Sequence, residues 1–290
     1  MRDVLSACHP AVGAAWFALA LAFPVISFHP VLLALGLAAG LRWSARLGGR
    51  WRPGAVILLF FSAALFNPLF SHAGVTILAY FPNGNPLTLE SILYGLGAGG
   101  MLACAAVWLG CMSRVMTADK WMCLLGRALP ALSLLLSMAL RLLPRSRARL
   151  AQIAQAQRQV GRRGEGALER ARLGVRMLSV LILWSLEDGT ATADSMAARG
   201  YGLPGRTSYT NYHLDRRDRA ILAFLACDGG YLLLMALHGA LDWRWYPSLA
   251  WAGLDAWSLS AFLAWRALCA LPLYLNRREE SAWRSSSCGT

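Results

Sequence analysis

The chain has 290 residues, 57% of them hydrophobic and 15% charged, which is more apolar and less charged than a soluble globular protein of this size. Its net charge of +13 is almost all arginine, with Lys120 the only lysine. These arginines collect in the connections between apolar stretches, which argues against nucleic acid as partner and for the loop asymmetry of a membrane protein.

No charged residue occurs from Leu5 to Leu41, from Pro53 to Leu89 or from Ser91 to Met112. Each stretch can hold a bilayer-crossing helix of about 20 residues. The first expected span is Ala11 to Phe28. Only Arg2 precedes it as a basic flank and no small-x-small cleavage site follows, so it reads as a retained span and not a removed signal peptide. Pro30 to Leu41 is a second, short span, Pro53 to Phe70 a third and Leu89 to Met112 a fourth. Arg42, Arg46, Arg50 and Arg52 fall within eleven residues without one acid, whereas Asn67 to Thr88 carries no charge. The first of these loops is therefore expected to be cytoplasmic and the second external.

Trp121 to Leu143 is apolar enough to span. A crossing there would leave Pro144 to Asp218, with thirteen arginines against seven acids, outside the cell. We therefore predict a helix kinked at Pro130, flanked by Arg127 and Arg141, that lies at the cytoplasmic interface. The insert beyond it reads as two long helices separated by Gly161-Arg162-Arg163-Gly164-Glu165-Gly166. The second should run from about Leu168 to Ala198. Its apolar middle, Leu173 to Leu186, has fourteen residues and is too short to cross. Ala220 to Leu241 and Leu249 to Pro272 close the chain as a hairpin, and a cytoplasmic tail begins at Asn276. The expected fold is an all-α integral membrane protein with about six transmembrane helices plus long cytoplasmic or interfacial helices. Both termini are cytoplasmic. Three segments follow: 1–120, 121–218 and 219–290.

Within this frame several features read as structural. The seven cysteines form no CxxC pair and mostly lie in apolar stretches, so they read as packing residues. The five histidines show no ligand spacing, and no metal or cofactor is expected. Gly95, Gly97, Gly99 and Gly100 lack the strand and lysine of a phosphate loop and suit a helix-packing face. Trp16, Trp43, Trp51, Trp108, Trp121, Trp243 and Trp245 fall near expected span ends and read as an interfacial belt. Asp228 and Arg266 are level in a hairpin that turns near Pro247, so a buried ion pair is expected between them. His238 and Asp255 are level as well.

The sharpest local pattern is Ala193-Asp194-Ser195-Met196-Ala197-Ala198-Arg199-Gly200-Tyr201-Gly202, followed by Pro204-Gly205-Arg206-Thr207. Its core resembles the Met-x-Ala-Arg-Gly-Tyr signature of the T component of energy-coupling-factor (ECF) transporters. Leu140-Arg141-Leu142-Leu143-Pro144 is similar to the Leu-Arg-Phe-Ile-Pro stretch that leads that family's coupling helices. Asn67-Pro68-Leu69-Phe70 and Thr88-Leu89-Glu90 also match like residues, so the resemblance covers about residues 67–218. It implies a non-catalytic membrane scaffold on which two ABC-type ATPases dock and with which a substrate-binding membrane S subunit associates. The cargo class is a vitamin or a metal ion, chosen by the S subunit, and the location is the cell membrane.

In that family each coupling helix ends in an x-Arg-x motif that enters a groove of one ATPase. The match makes Ala198-Arg199-Gly200 the second such motif, with Gly200 ending the helix. The first is less direct, because the family register falls on Val160 within Ala156-Gln157-Arg158-Gln159-Val160-Gly161. Arg158, flanked by Gln157 and Gln159, takes the role in this reading. The alternative is that Arg158, Arg162 and Arg163 form a solvated basic face. Two rival functions remain at this level: an integral-membrane enzyme acting on an anionic lipid, for which Glu187 and Asp188 are the only adjacent acids in the insert, and a non-transport anchor for an ATPase.

Overall fold

The computed structural model describes residues 4–48, 53–72, 74–80, 85–160, 166–203, 212–251, 253 and 255–287. Arg50, Trp51 and Arg52, the break at 161–165 with Arg162 and Arg163, the Pro204-Gly205-Arg206-Thr207 segment and Cys288 lie outside the described residues. The helices are α1 (Val4–Ala7), α2 (Pro10–Ile26), α3 (Pro30–Arg46), α4 (Pro53–Phe70), α5 (Leu89–Val115), α6 (Ala118–Ala128), α7 (Pro130–Gln159), α8 (Ala167–Ala198), α9 (Arg216–Leu237) and α10 (Ala256–Ser287). Two short antiparallel ribbons, unforeseen in the sequence, join β1 (Ile77–Tyr80) to β2 (Pro86–Thr88) and β3 (Trp243–Arg244) to β4 (Ala250–Trp251). The chain divides into two compact units, Met1–Trp121 with Tyr212–Thr290, and Met122–Asn211. The outer segments 1–120 and 219–290 thus come together in one unit.

Local chemistry sets the helix starts. His9 and His29 each precede a proline at the first helical position, and each ring Nδ1 accepts the N–H of the residue after that proline, at 3.1 Å from Ala11 and 3.2 Å from Val31. The proline supplies a pre-set φ and has no N–H left to satisfy. α3 continues to Arg46, past the expected end at Leu41. Leu129 and Pro130 break the segment expected as one kinked helix into α6 and α7. The last helix starts later than expected, at Ala256, because the β3–β4 ribbon occupies the turn. It then continues through Pro272, so the expected tail is helical as far as Ser287.

Three helices, Leu89–Val115, Arg216–Leu237 and Ala256–Ser281, are long and apolar enough to cross a membrane; Pro10–Ile26 and Gly54–Phe70 are shorter apolar helices. The chain is thus a helical membrane protein by length and composition.

The core of the first unit is aromatic. Trp16, Trp43 and Trp108 are at most 1% exposed, and their rings meet at centroid distances of 5.1 to 5.9 Å. This corrects the belt expected from their positions. Proximity to a span end along the chain says nothing about which side of the helix a residue occupies, and these three face inward. Trp121 does stay exposed.

α4 lies against α5 because α5 has no side chain in the way. A Cβ at Gly95 would stand 2.8 Å from the Ala64 carbonyl oxygen, and one at Gly99 only 2.5 Å from that of Phe60. Pro68 has no N–H to give Ala64, so that carbonyl is free to face the neighbouring helix. The helix-packing reading of these glycines holds. Asn67 then donates to the Ser91 carbonyl at 2.8 Å, Ser91 Oγ donates to that of Ser71 at 2.6 Å, and buried Glu90 accepts from Thr76. These bonds fasten the α4–α5 connection.

Residues expected on opposite faces of a membrane gather at opposite ends of this unit. At one end Val4 donates to Asn276, His9 to Asp218 and Lys120 to the Leu5 carbonyl. At the other, Asn67 and Ser71 reach Tyr246 at 3.5 and 3.3 Å, and Trp245 donates to the Phe28 carbonyl at 3.1 Å. His238 and Asp255 line a cavity of about 460 Å³ near the α9–α10 turn, with no ion pair between them.

Asp228 and Arg266 do not form the expected pair. Neither joins an ion pair among the described residues; Asp228 is half-buried, with its Oδ2 enclosed and without a hydrogen-bond partner, and Arg266 is exposed. The buried line of α10 runs through Trp265, Leu268 and Cys269. Arg266 is turned about 100° from Trp265 around the helix. Equal depth did not bring the two side chains onto facing sides.

The glycines of α5 generate a test with opposite signs in one helix. Gly99→Ala should destabilise the detergent-solubilised protein by about 1–3 kcal/mol, because the Phe60 backbone must move. Gly110, with open space where its Cβ would be, should gain about 0.5–1 kcal/mol as alanine. Thermal unfolding reads both, and shifts of the same sign would refute the packing argument.

Candidate functional site

The second unit centres on two long helices, α7 and α8, which follow one another with a short connection. α7 begins as a continuation of the turn at Leu129, where Ser133 Oγ donates back to the Met122 carbonyl at 3.2 Å. They meet where Asp188 of α8 accepts from Arg145 at 3.0 Å and lies 3.6 Å from Arg149. The Arg149 guanidinium also sits 4.8 Å from the centre of the Trp184 ring. Partners on α8 descend as those on α7 ascend, so the contact is antiparallel. These groups keep 27 to 54% side-chain exposure, and each ion pair contributes at most about 1 kcal/mol. Their value is register: one carboxylate bridged by two guanidiniums and an arginine over an indole fix how α7 and α8 line up.

The rest of α8 is only partly covered, along a half-buried line through Leu173, Met177, Leu181 and Ser185. No residue of this 32-residue helix is buried, and Val175, Leu183 and Leu186 of its apolar middle are 65 to 66% exposed. Neither α7 nor α8 is among the helices long and apolar enough to cross a membrane.

α8 ends in a defined structure. Arg199 is the C-cap, Gly200 takes φ +79°, the Gly200 N–H donates to the Ala197 carbonyl at 3.0 Å and the Tyr201 N–H to that of Met196 at 3.0 Å. This pair of bonds is a Schellman motif, and it requires a left-handed residue that glycine adopts without a Cβ penalty. The Gly200 cap read from the sequence is therefore present. Ala198 and Arg199 are exposed, and the Arg199 guanidinium has no hydrogen bond or ion pair among the described residues. Five fixed donors stand at the negative end of a long helix, ready for carboxylates or carbonyls from another molecule.

α7 ends less sharply. Arg158 sits exposed in the last turn and Val160 caps the helix; Gln159 is exposed, and Gln157 is half-buried with its Oε1 enclosed. From the Asp188 crossing, Arg158 lies about 17 Å along α7, measured from midway between Arg145 and Arg149, and Arg199 about 17 Å along α8, at 1.5 Å per residue. Because the helices are antiparallel there, the two arginines stand at opposite ends of the pair.

The sequence did not reveal the crossing. Asp188 was visible only as one of two adjacent acids, and its partners Arg145 and Arg149 only as part of a basic run. The usable signal was their four-residue spacing, which places both guanidiniums on one face of α7.

Gly200→Ala should cost about 1 kcal/mol locally, seen as roughly fivefold faster amide hydrogen exchange at Tyr201 with the rest of α8 unchanged. An unaltered Tyr201 exchange rate would show that the cap does not depend on glycine.

Compared with known proteins, the chain matches no family model and no curated sequence.

Proposed function

We propose that the chain is the transmembrane scaffold subunit of an ECF-type importer. It couples ATP hydrolysis by two docked ATPases to a separate substrate-binding membrane subunit that takes up a vitamin or a metal ion. The observation that carries this reading is the end of α8: an exposed, unpartnered Arg199 held at a Schellman turn inside a Met-x-Ala-Arg-Gly-Tyr sequence. The antiparallel α7, ending in exposed Arg158, supports two docking points on two ATPases rather than one shared site. In this reading closure of the ATPases moves both tips, and the exposed apolar middles of α7 and α8 pass the motion to the S subunit.

The enzyme alternative loses ground for a physical reason. Asp188 is already engaged by Arg145 and Arg149, which leaves Glu187 without a second free carboxylate beside it.

The gathering of N-terminal, Lys120, Asp218 and Asn276 groups at one end of the first unit supports six crossings, by α2, α3, α4, α5, α9 and α10, in a plasma membrane with both termini cytoplasmic. Single cysteines placed near Asp119 and near Ser146 should then both be labelled from the cytoplasmic side only. External labelling near Ser146 would place α7 across the bilayer and remove Arg199 from the reach of cytoplasmic ATPases.

Arg199→Glu should abolish ATPase co-purification and coupled uptake while insertion and expression stay near normal, since an exposed side chain contributes within about 0.5 kcal/mol to folding. Wild-type uptake in this variant would end the coupling role. Arg158→Glu should give a weaker loss of the same kind.

A further inference from the structure

The chain leaves the first unit at Trp121 and re-enters it at Tyr212. Close to each passage stands a buried charged residue, and both are bound to the same short N-terminal segment. Lys120 is 3% exposed, and its ammonium donates to the Leu5 carbonyl at 3.4 Å. Asp218 is 5% exposed and accepts the backbone N–H of His9 at 3.1 Å. Beside it Arg217 donates to Cys8 Sγ at 3.6 Å and to Glu279 of α10 at 2.6 Å. The Val4 N–H donates to Asn276 of α10 at 2.8 Å.

A lysine and an aspartate so deeply buried are costly unless partnered. Their partners here include main-chain groups of Leu5 and His9, while the Val4 N–H and Arg217 tie the same region to Asn276 and Glu279 of α10. The start of α6, the start of α9 and the end of α10 are thereby fixed to one four-residue helix and the turn after it. Any displacement carried along either covalent connection must move these three elements together or break a buried, charge-assisted hydrogen bond.

We propose that residues 4–9 form a clamp across both connections, with Lys120, Arg217 and Asp218 as positioning residues that make the membrane helices follow the coupling helices. The source of the movement is the importer reading above, on which this inference rests. With the clamp intact, α9 and α10 travel as a body with the base of α6. With it broken, the two connections yield separately and ATP hydrolysis runs without transport.

Cys8 reports on the clamp from inside. It is 4% exposed, and burial pushes its thiol above the ordinary value, so a maleimide should reach it slowly in the wild type. With Cys123, Cys227 and Cys288 replaced by serine, the remaining cysteines Cys104, Cys111 and Cys269 are all buried. In the full complex, Lys120→Met and Asp218→Ala should each raise the Cys8 labelling rate about tenfold by opening the segment locally. ATPase co-purification and hydrolysis should remain at wild-type level, and substrate taken up per ATP hydrolysed should fall roughly tenfold by the same opening. Asp218→Asn, which keeps the shape and one acceptor oxygen, serves if the alanine variant does not fold, and should restore part of the uptake ratio where both fold. Faster labelling with an unchanged uptake ratio overturns the inference, because the segment is then only structural. Unchanged labelling overturns it too. A wild-type chain that binds no ATPase overturns the importer reading and this inference with it, whereas docked ATPase with normal coupling in the variants sinks the clamp alone.

Discussion

Pro272 has no N–H to give the Leu268 carbonyl one turn earlier in α10, and the indole N–H of Trp16 supplies the missing bond at 2.9 Å in a fully buried setting. A bare carbonyl in apolar surroundings costs several kcal/mol, so this bond fixes the position of α2 against α10 more firmly than side-chain packing alone. A second indole bond, from Trp265 to the Leu32 carbonyl at 3.0 Å, ties α10 to α3. The rest of the first unit is fitted around these two bonds. Gly36 leaves room for Trp265 and Cys104, and Gly40 for Trp108, each with contacts of about 3.2 Å to a notional Cβ. The cluster of Trp16, Trp43 and Trp108 fills the space enclosed.

This construction differs in kind from that of the second unit. The first is held by indole-to-carbonyl bonds, glycine close approach and buried charges with main-chain partners. In the second, α7 and α8 are joined by partly exposed ion pairs at Asp188 and a half-buried line along α8, and no residue of α8 is fully buried. Elements with few buried contacts open at low free energy, and functional movement is drawn from such elements. In the importer proposed above, that contrast would give a stiff part and a pair of lightly held helices for the ATPases to meet.

The clamp at residues 4–9 fits the same logic. Two of its bonds run between a main-chain group and a buried charged side chain, and with the Val4–Asn276 and Arg217–Glu279 bonds they join the starts of α6 and α9 to α10. The exposed Arg199 and the buried Asp218 show two uses of charge on one chain. One is exposed and makes no bond among the described residues, and the other is bonded inside the fold.

What the sequence determined by itself was whatever depends on local chemistry. The apolar runs specified the helices, the His-Pro pairs specified two of their starts, Gly200 specified the end of α8, and the α5 glycines specified a face that another helix could approach. Each of these follows from backbone geometry or from the cost of a Cβ, and needs no knowledge of distant residues. Only the tertiary structure decided which way side chains turn at a given depth. It placed Trp16, Trp43 and Trp108 in a core instead of a belt, separated Asp228 from Arg266, matched Asp188 with Arg145 and Arg149, and brought Leu5 and His9 to Lys120 and Asp218. Those outcomes depend on the rotation of each helix about its axis, which is set by the sum of all its packing contacts; a spacing such as that of Arg145 and Arg149 tells which residues share a face, but not which partner that face meets.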